Sequence, residues 1–215
     1  MAKSYKTLYN CGVAEVEIKR SRFIGHAKPV SSEEEAIKFI EEIRAKHRMA
    51  THNVYAYVLG ENDEVQRYSD DGEPSGTAGI PVLNVIKKEG LKNVAVVVTR
   101  YFGGILLGAG GLVRAYTKGA KVGIEAAGIV EKIFAKSVVL TFDYTLLGKI
   151  QNELLKREYY IKNTRYEDKV IMEVYIEEDK LLEFENFIND LTSKRCNIEV
   201  KKDVYLFKKD NSYVE

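Results

Sequence analysis

The densest set of residues able to do chemistry runs from Arg100 through Tyr101, Gly103, Gly104, Gly108, Gly110 and Gly111 to Arg114. Glycines let a ligand approach the backbone, and a helix opening after them would point free N–H groups outward, a geometry suited to an anion. The spacing is neither GxGxxG nor GxxxxGK followed by Ser or Thr, which disfavours a known nucleotide fingerprint. Beyond the loop, Arg114, Lys118 and Lys121 stand at i, i+4 and i+7 and share one helical face. A basic ridge of that kind suits a row of phosphates. The plainer readings are tight helix–strand packing by the glycines and a solvated charged face.

A second set is acidic. Asp70, Asp71 and Glu73 place three carboxylates in four positions, with His47 and His52 upstream. Such a loop could hold a hard cation, or supply a base beside either imidazole, forming a ligand cleft. The plainer reading is a turn followed by a helix start, because Asp-Gly and Glu-Pro are turn chemistry and Ser75 or Thr77 could cap. His47 and His52 are five apart rather than four and no HExxH occurs, so no metal site is assigned. Cys11 and Cys196 form no CxxC, and neither has a histidine nearby in sequence. No catalytic residue and no cofactor is assigned.

These sets sit in a chain of 215 residues with 33 Lys+Arg against 32 Asp+Glu, a formal charge of +1. That near-neutral sum argues against nucleic-acid coating through bulk basicity. Its distribution is uneven. Residues 1–135 hold 19 bases and 16 acids (+3), and residues 136–215 hold 14 and 16 (−2). Within 90–124 there are five bases (Lys92, Arg100, Arg114, Lys118, Lys121), no acid, and 8 of the 16 glycines. An apolar fraction of 45% supports a core and excludes wholesale disorder. The longest uncharged apolar stretch, 103–113, is broken by five glycines and falls far short of the ~20 residues of a membrane span. The N-terminus has no apolar h-region and the cysteines suggest no disulfide framework, so a cytoplasmic protein with no membrane partner is expected.

The elements that must position these groups read as two domains, 1–135 and 136–215. In the first, alternation from Val13 to Lys19 and an extended run over 22–30 predict strands. Ser32 with Glu35 three residues on predicts a capped helix over 33–46, striped by Ala36, Phe39, Ile40 and Ile43. Strands are predicted at 53–59 and 65–68, a helix ending near 88, and a strand buried on both faces at 94–98. A helix over 111–127 follows the glycine loop. In the second, the order is strand, helix, two strands, helix, strand over about 70 residues, the split βαβ of ferredoxin-like domains. Tyr159, Tyr160, Tyr175 and Tyr205 could stack on bases there, with sheet-face packing the plainer reading.

Taken together, Ala50-Thr51-His52-Asn53, Asp70-Asp71-Gly72-Glu73-Pro74 with Gly76-Thr77-Ala78-Gly79, and Arg100-Tyr101-Phe102-Gly103-Gly104 with Leu107-Gly108, Gly110-Gly111-Leu112 and Arg114-Ala115-Tyr116 resemble the YigZ/IMPACT family. The resemblance covers about 15–130 strongly, and 136–207 resembles the small C-terminal domain of bacterial members. It implies an α+β protein. Its N-terminal α/β domain would resemble domain IV of elongation factor G, with a left-handed βαβ crossover, and its ferredoxin-like βαββαβ domain would resemble domain V. It also implies a non-enzymatic regulator of translation with RNA or the ribosome as partner, or a translation-related protein, as for the eukaryotic relatives. The family brings no established catalytic residues. Many members have Cys after the His-Asn pair, where this chain has Val54. The competing expectation is an enzyme of hydrolase type, or a small-ligand protein, using Asp70, Asp71 and Glu73 with His47 or His52.

Overall fold

The computed structural model describes residues 4–209 and 212–214. The chain divides between Glu131 and Lys132 into two compact units. That point lies four residues before the predicted junction and inside a single strand, Ile129–Phe142.

The first unit is built on β1 (Tyr5–Leu8), β2 (Gly12–Ile18), β3 (Ser21–Pro29), α1 (Glu33–Lys46), β4 (His52–Leu59), β5 (Val65–Ser69), α2 (Gly79–Glu89), β6 (Val94–Tyr101) and α3 (Ala109–Ala127). Its sheet runs β2-β3-β6-β4-β5, antiparallel at every junction. The β-branched run at 94–98 becomes the central strand, and each of those five residues is fully buried, as both sheet faces are covered. Val54, Ala56, Val58, Val94, Val96 and Val98 pack under α2 and α3. The alternate residues Tyr57, Leu59, Ala95 and Val97 pack under α1. Ser32 Oγ accepts from the Glu35 amide as a capping box requires, while the Glu35 carboxylate reaches Ser31 rather than Ser32.

This arrangement settles a question of handedness. β3 and β4 both lie antiparallel to β6 and are joined by α1; β5 and β6 both lie antiparallel to β4 and are joined by α2. A half-turn about the sheet normal superimposes the two crossovers in strand direction and lateral step, yet their helices lie on opposite faces. They therefore have opposite hands, and one βαβ unit departs from the right-handed rule, as the resemblance implied.

α3 rests on β3 in backbone contact. A Cβ on Gly25 would lie 2.0 Å from the Gly119 carbonyl oxygen, and one on Gly123 would lie 2.8 Å from Gly25. The buried stripe of α3 is Leu112, Ala115, Tyr116, Gly119, Ala120, Gly123, Ile124 and Ala127. Ala126 lies off that stripe and is exposed.

The second unit contains β7 (Ile129–Phe142), α4 (Leu147–Lys156), β8 (Tyr160–Tyr166), β9 (Val170–Glu177), α5 (Leu181–Thr192), β10 (Asn197–Lys209) and β11 (Ser212–Val214). Its sheet order, β11-β10-β7-β9-β8, contains the 4-1-3-2 order of a ferredoxin-like domain with a short strand added. Val170, Met172, Val174 and Ile176 alternate into the core beneath α4 and α5. Tyr159 lies 5.0 Å from Phe184, Tyr160 lies 5.8 Å from Tyr175, and Tyr205 lies 5.5 Å from Phe134, centroid to centroid. Each of these tyrosines has an aromatic neighbour, although Tyr205 is 45% exposed. No helix among the described residues is long and apolar enough to cross a membrane.

Candidate functional site

The register of the first sheet aligns Phe23 of β3, Arg100 of β6 and His52 of β4 in one row. Alternation turns that row toward α3. Glu73 reaches it from the β5–α2 loop. The Glu73 Oε1 accepts from Arg100 Nη1 at 2.6 Å and from the Tyr116 hydroxyl at 2.7 Å, and lies 3.7 Å from His52 Nε2. The Arg100 and Glu73 side chains are only 6% and 4% exposed. A carboxylate is tolerated at that depth because a buried cation and a hydroxyl compensate it. The guanidinium also lies 5.5 Å from the ring centroids of both Phe23 and Phe102. Burial, then the bond to Glu73, holds the Tyr116 phenol far above its usual range. Arg100 is thus not a free phosphate ligand, contrary to the sequence expectation, because Glu73 engages it.

The acidic loop is occupied by its own backbone. Asp70 accepts from the amides of Gly76 (2.8 Å), Ala78 (3.1 Å) and Gly79 (2.8 Å), which makes it the cap of α2 in place of Ser75 or Thr77. Asp71 accepts from the Asn53 amide at 2.6 Å and from Arg44 at 2.9 Å. The Asp71 carbonyl lies 2.7 Å from His52 Nδ1. A carbonyl only accepts, so Nδ1 carries a proton, and Nε2 is turned toward Glu73. Among the described residues no group of three His, Cys, Asp or Glu side chains is placed to hold a metal ion.

His47 leaves the predicted cleft, and Tyr101 leaves the predicted phosphate set. Both lie on the α1 side of the sheet, where His47 Nδ1 meets the Tyr101 hydroxyl at 2.9 Å and the His47 ring lies 5.1 Å from His26, tilted by 53°. Burial, with His47 and Lys46 adding to it, pushes the His26 imidazole down to about 4. Burial also lowers His47, helped by Lys46 and Arg22.

Beside the Glu73–Arg100 pair lies a cleft of about 410 Å³, walled by Thr51, His52, Pro74, Phe102, Leu106, Leu107, Gly108, Ala109 and Leu112. Its rim is the glycine loop. Gly104 (φ 83°) and Gly108 (φ 70°) sit in left-handed conformations with open space where a Cβ would be, so backbone shape explains them and packing does not. Gly103 and Gly111 answer to the packing reading, pressed against Arg20 and Leu107. No side chain caps the N-terminus of α3. The Arg114 guanidinium folds back over that end, with Nη1 3.8 Å from the Cβ position of Gly110. Arg114, Lys118 and Lys121 are exposed along one face of α3.

Sequence reasoning missed Tyr116, Phe23 and His26. Tyr116 falls four residues after Leu112 on the buried stripe, a signal that was available. The depth of Phe23 and His26 depended on strand pairing.

These features define a two-domain protein with a glycine-rimmed cleft and a basic helix on its N-terminal unit. Residues 19–124 match the Impact N-terminal domain, and residues 140–195 match a domain of unknown function, DUF1949. The chain is 46% identical to IMPACT family member YvyE of Bacillus subtilis over its whole length and 99% of that protein. It is 37% identical to IMPACT family member YigZ of Escherichia coli, covering 82% of this chain and 87% of that one. A crystal structure of a hypothetical protein, 32% identical, superimposes with a TM-score of 0.60 over 94% of this chain and 99% of its own. The chain belongs to the IMPACT family.

Proposed function

We propose that this protein is a non-enzymatic regulator of translation that binds the phosphate backbone of RNA, free or in the ribosome, through α3 and the glycine loop. The observation that carries this reading is the pairing of the bases in the acid-free window. Lys92 is neutralised by Asp63 at 2.6 Å and Arg100 by Glu73, whereas Arg114, Lys118 and Lys121 have no carboxylate partner among the described residues. The unpaired cations form one exposed row, and its first member overhangs a helix N-terminus whose outward amides suit a phosphate. The hydrolase alternative is weakened by the occupation of Asp70 and Asp71 as cap and loop ties.

The test replaces Arg114, Lys118 and Lys121 together with Gln, which preserves helix propensity. The slope of log K against log salt for single-stranded RNA should fall by about 0.7 for each lost contact, roughly 2 in all, with thermal unfolding unchanged. An unchanged slope in a folded variant defeats the proposal.

A further inference from the structure

We infer that the cleft beside the Glu73–Arg100 pair receives one unstacked base of a single-stranded RNA, next to a phosphate held at the N-terminus of α3. The inference rests on the backbone-binding reading and adds the part of the ligand that the backbone reading leaves out. Its volume of about 410 Å³ lies at the lower end of the range for small-ligand pockets, about 300–1,000 Å³.

Three features specify the occupant. The walls are mostly apolar and one is aromatic. Phe102 is 46% exposed, and its position is fixed from behind by its amide donating to Thr51 Oγ1 at 3.1 Å. A ring that is held in place yet solvated on one side is a stacking platform for a flat ligand. The floor asks for a donor. The Glu73 contacts converge on Oε1, and among the described residues none donates a hydrogen bond to Oε2. An anion would meet those unshared lone pairs, whereas an N–H edge satisfies them, and a base carries N–H donors on its pairing edge. Finally, the cleft and the cationic row share a wall. Gly108, Ala109 and Leu112 line the cleft and also form the first turn of α3, over which Arg114 folds. Phosphate and base of one nucleotide are therefore accommodated side by side. A base inside an A-form duplex presents neither face nor pairing edge, so the strand must be single or splayed open.

The test compares an RNA heptamer with a ribose-phosphate heptamer of equal length lacking every base, measured by fluorescence anisotropy at one salt concentration. The intact strand should bind between about fivefold and 150-fold more tightly, the range expected for one stacked base. Phe102→Ala should remove most of that advantage while leaving the base-free strand unaffected. Phe102 is at the rim, so the variant should fold, which its thermal transition checks. Equal binding of the two strands by the native protein, with a normal salt slope, overturns the base site and leaves backbone binding intact. Binding of neither strand overturns both readings. If Phe102→Ala changes neither affinity, the base site falls, and Phe102 and Leu106 are reassigned to contact with a protein.

Discussion

The two faces of the N-terminal sheet solve the same problem in opposite ways. On the α3 face the buried polar groups gather around one shared acceptor: Arg100 and Tyr116 donate to Glu73 Oε1 and His52 lies beside it, with only Arg100 Nε left unpartnered. On the α1 face, His26 is buried with no partner on either ring nitrogen, and His47 Nε2 is likewise unpartnered. Charge survives burial only where a counter-charge comes with it; an unpaired group gives up its charge through its pKa. The paired face borders the cleft. The α1 face contributes packing and the His47–Tyr101 hydrogen bond.

The largest way to break this contrast is to unpair the charged face. Glu73→Ala should cost about 3–5 kcal/mol in urea unfolding, because it strands a buried guanidinium and a buried hydroxyl. A loss below 1 kcal/mol would show that Arg100 reaches water without Glu73.

Acid attacks the other face. The folded His26 value of about 4 lies below the ordinary 6.5, so the unfolded chain takes up the proton first. The stability due to His26 is thus complete above pH 6.5 and is lost as the pH falls toward 4, at about 1.4 kcal/mol per unit, or about 3 kcal/mol in all. Stability curves from pH 7 to 4 should show this decline, and His26→Leu, which removes two unpartnered nitrogens, should flatten it. A parallel decline in the variant would assign the acid sensitivity elsewhere.

A smaller effect tests the support of the paired face. Asp70→Ala frees three amides at the start of α2, next to the loop that delivers Glu73, and should cost about 2 kcal/mol. Mg²⁺ should leave the melting temperature of the native protein unchanged, since those oxygens are already occupied. A saturable rise, lost in Asp70→Ala, would restore the cation reading of the loop.

Much of this was legible in local pattern. The β-branched run at 94–98 specified a doubly covered strand, the alternation from Val170 to Ile176 specified β9, and the i, i+4, i+7 spacing specified that Arg114, Lys118 and Lys121 share a face. Such signals depend on neighbours within a turn or a pleat, which is the range over which residue type constrains the backbone. The boundary between the units was harder to read, because β7 runs across it without a turn residue. The true cap of α2 was obscured for a related reason: Asp70 reaches amides six to nine residues ahead through the folded loop.

What the sequence alone determined, then, is most of the elements, with β1 and β11 unread, together with the ferredoxin-like order and the membership of the basic row. Which charges remained free was decided only by the tertiary structure. The window 90–124 contains no acid, yet Asp63 and Glu73 reach into it from other segments and neutralise Lys92 and Arg100. His47 and His52, five residues apart, were separated by the sheet onto opposite faces. Coulomb pairing and burial act through space between strands whose register no local pattern records, so among the described residues three cations of the window have no carboxylate partner and two do.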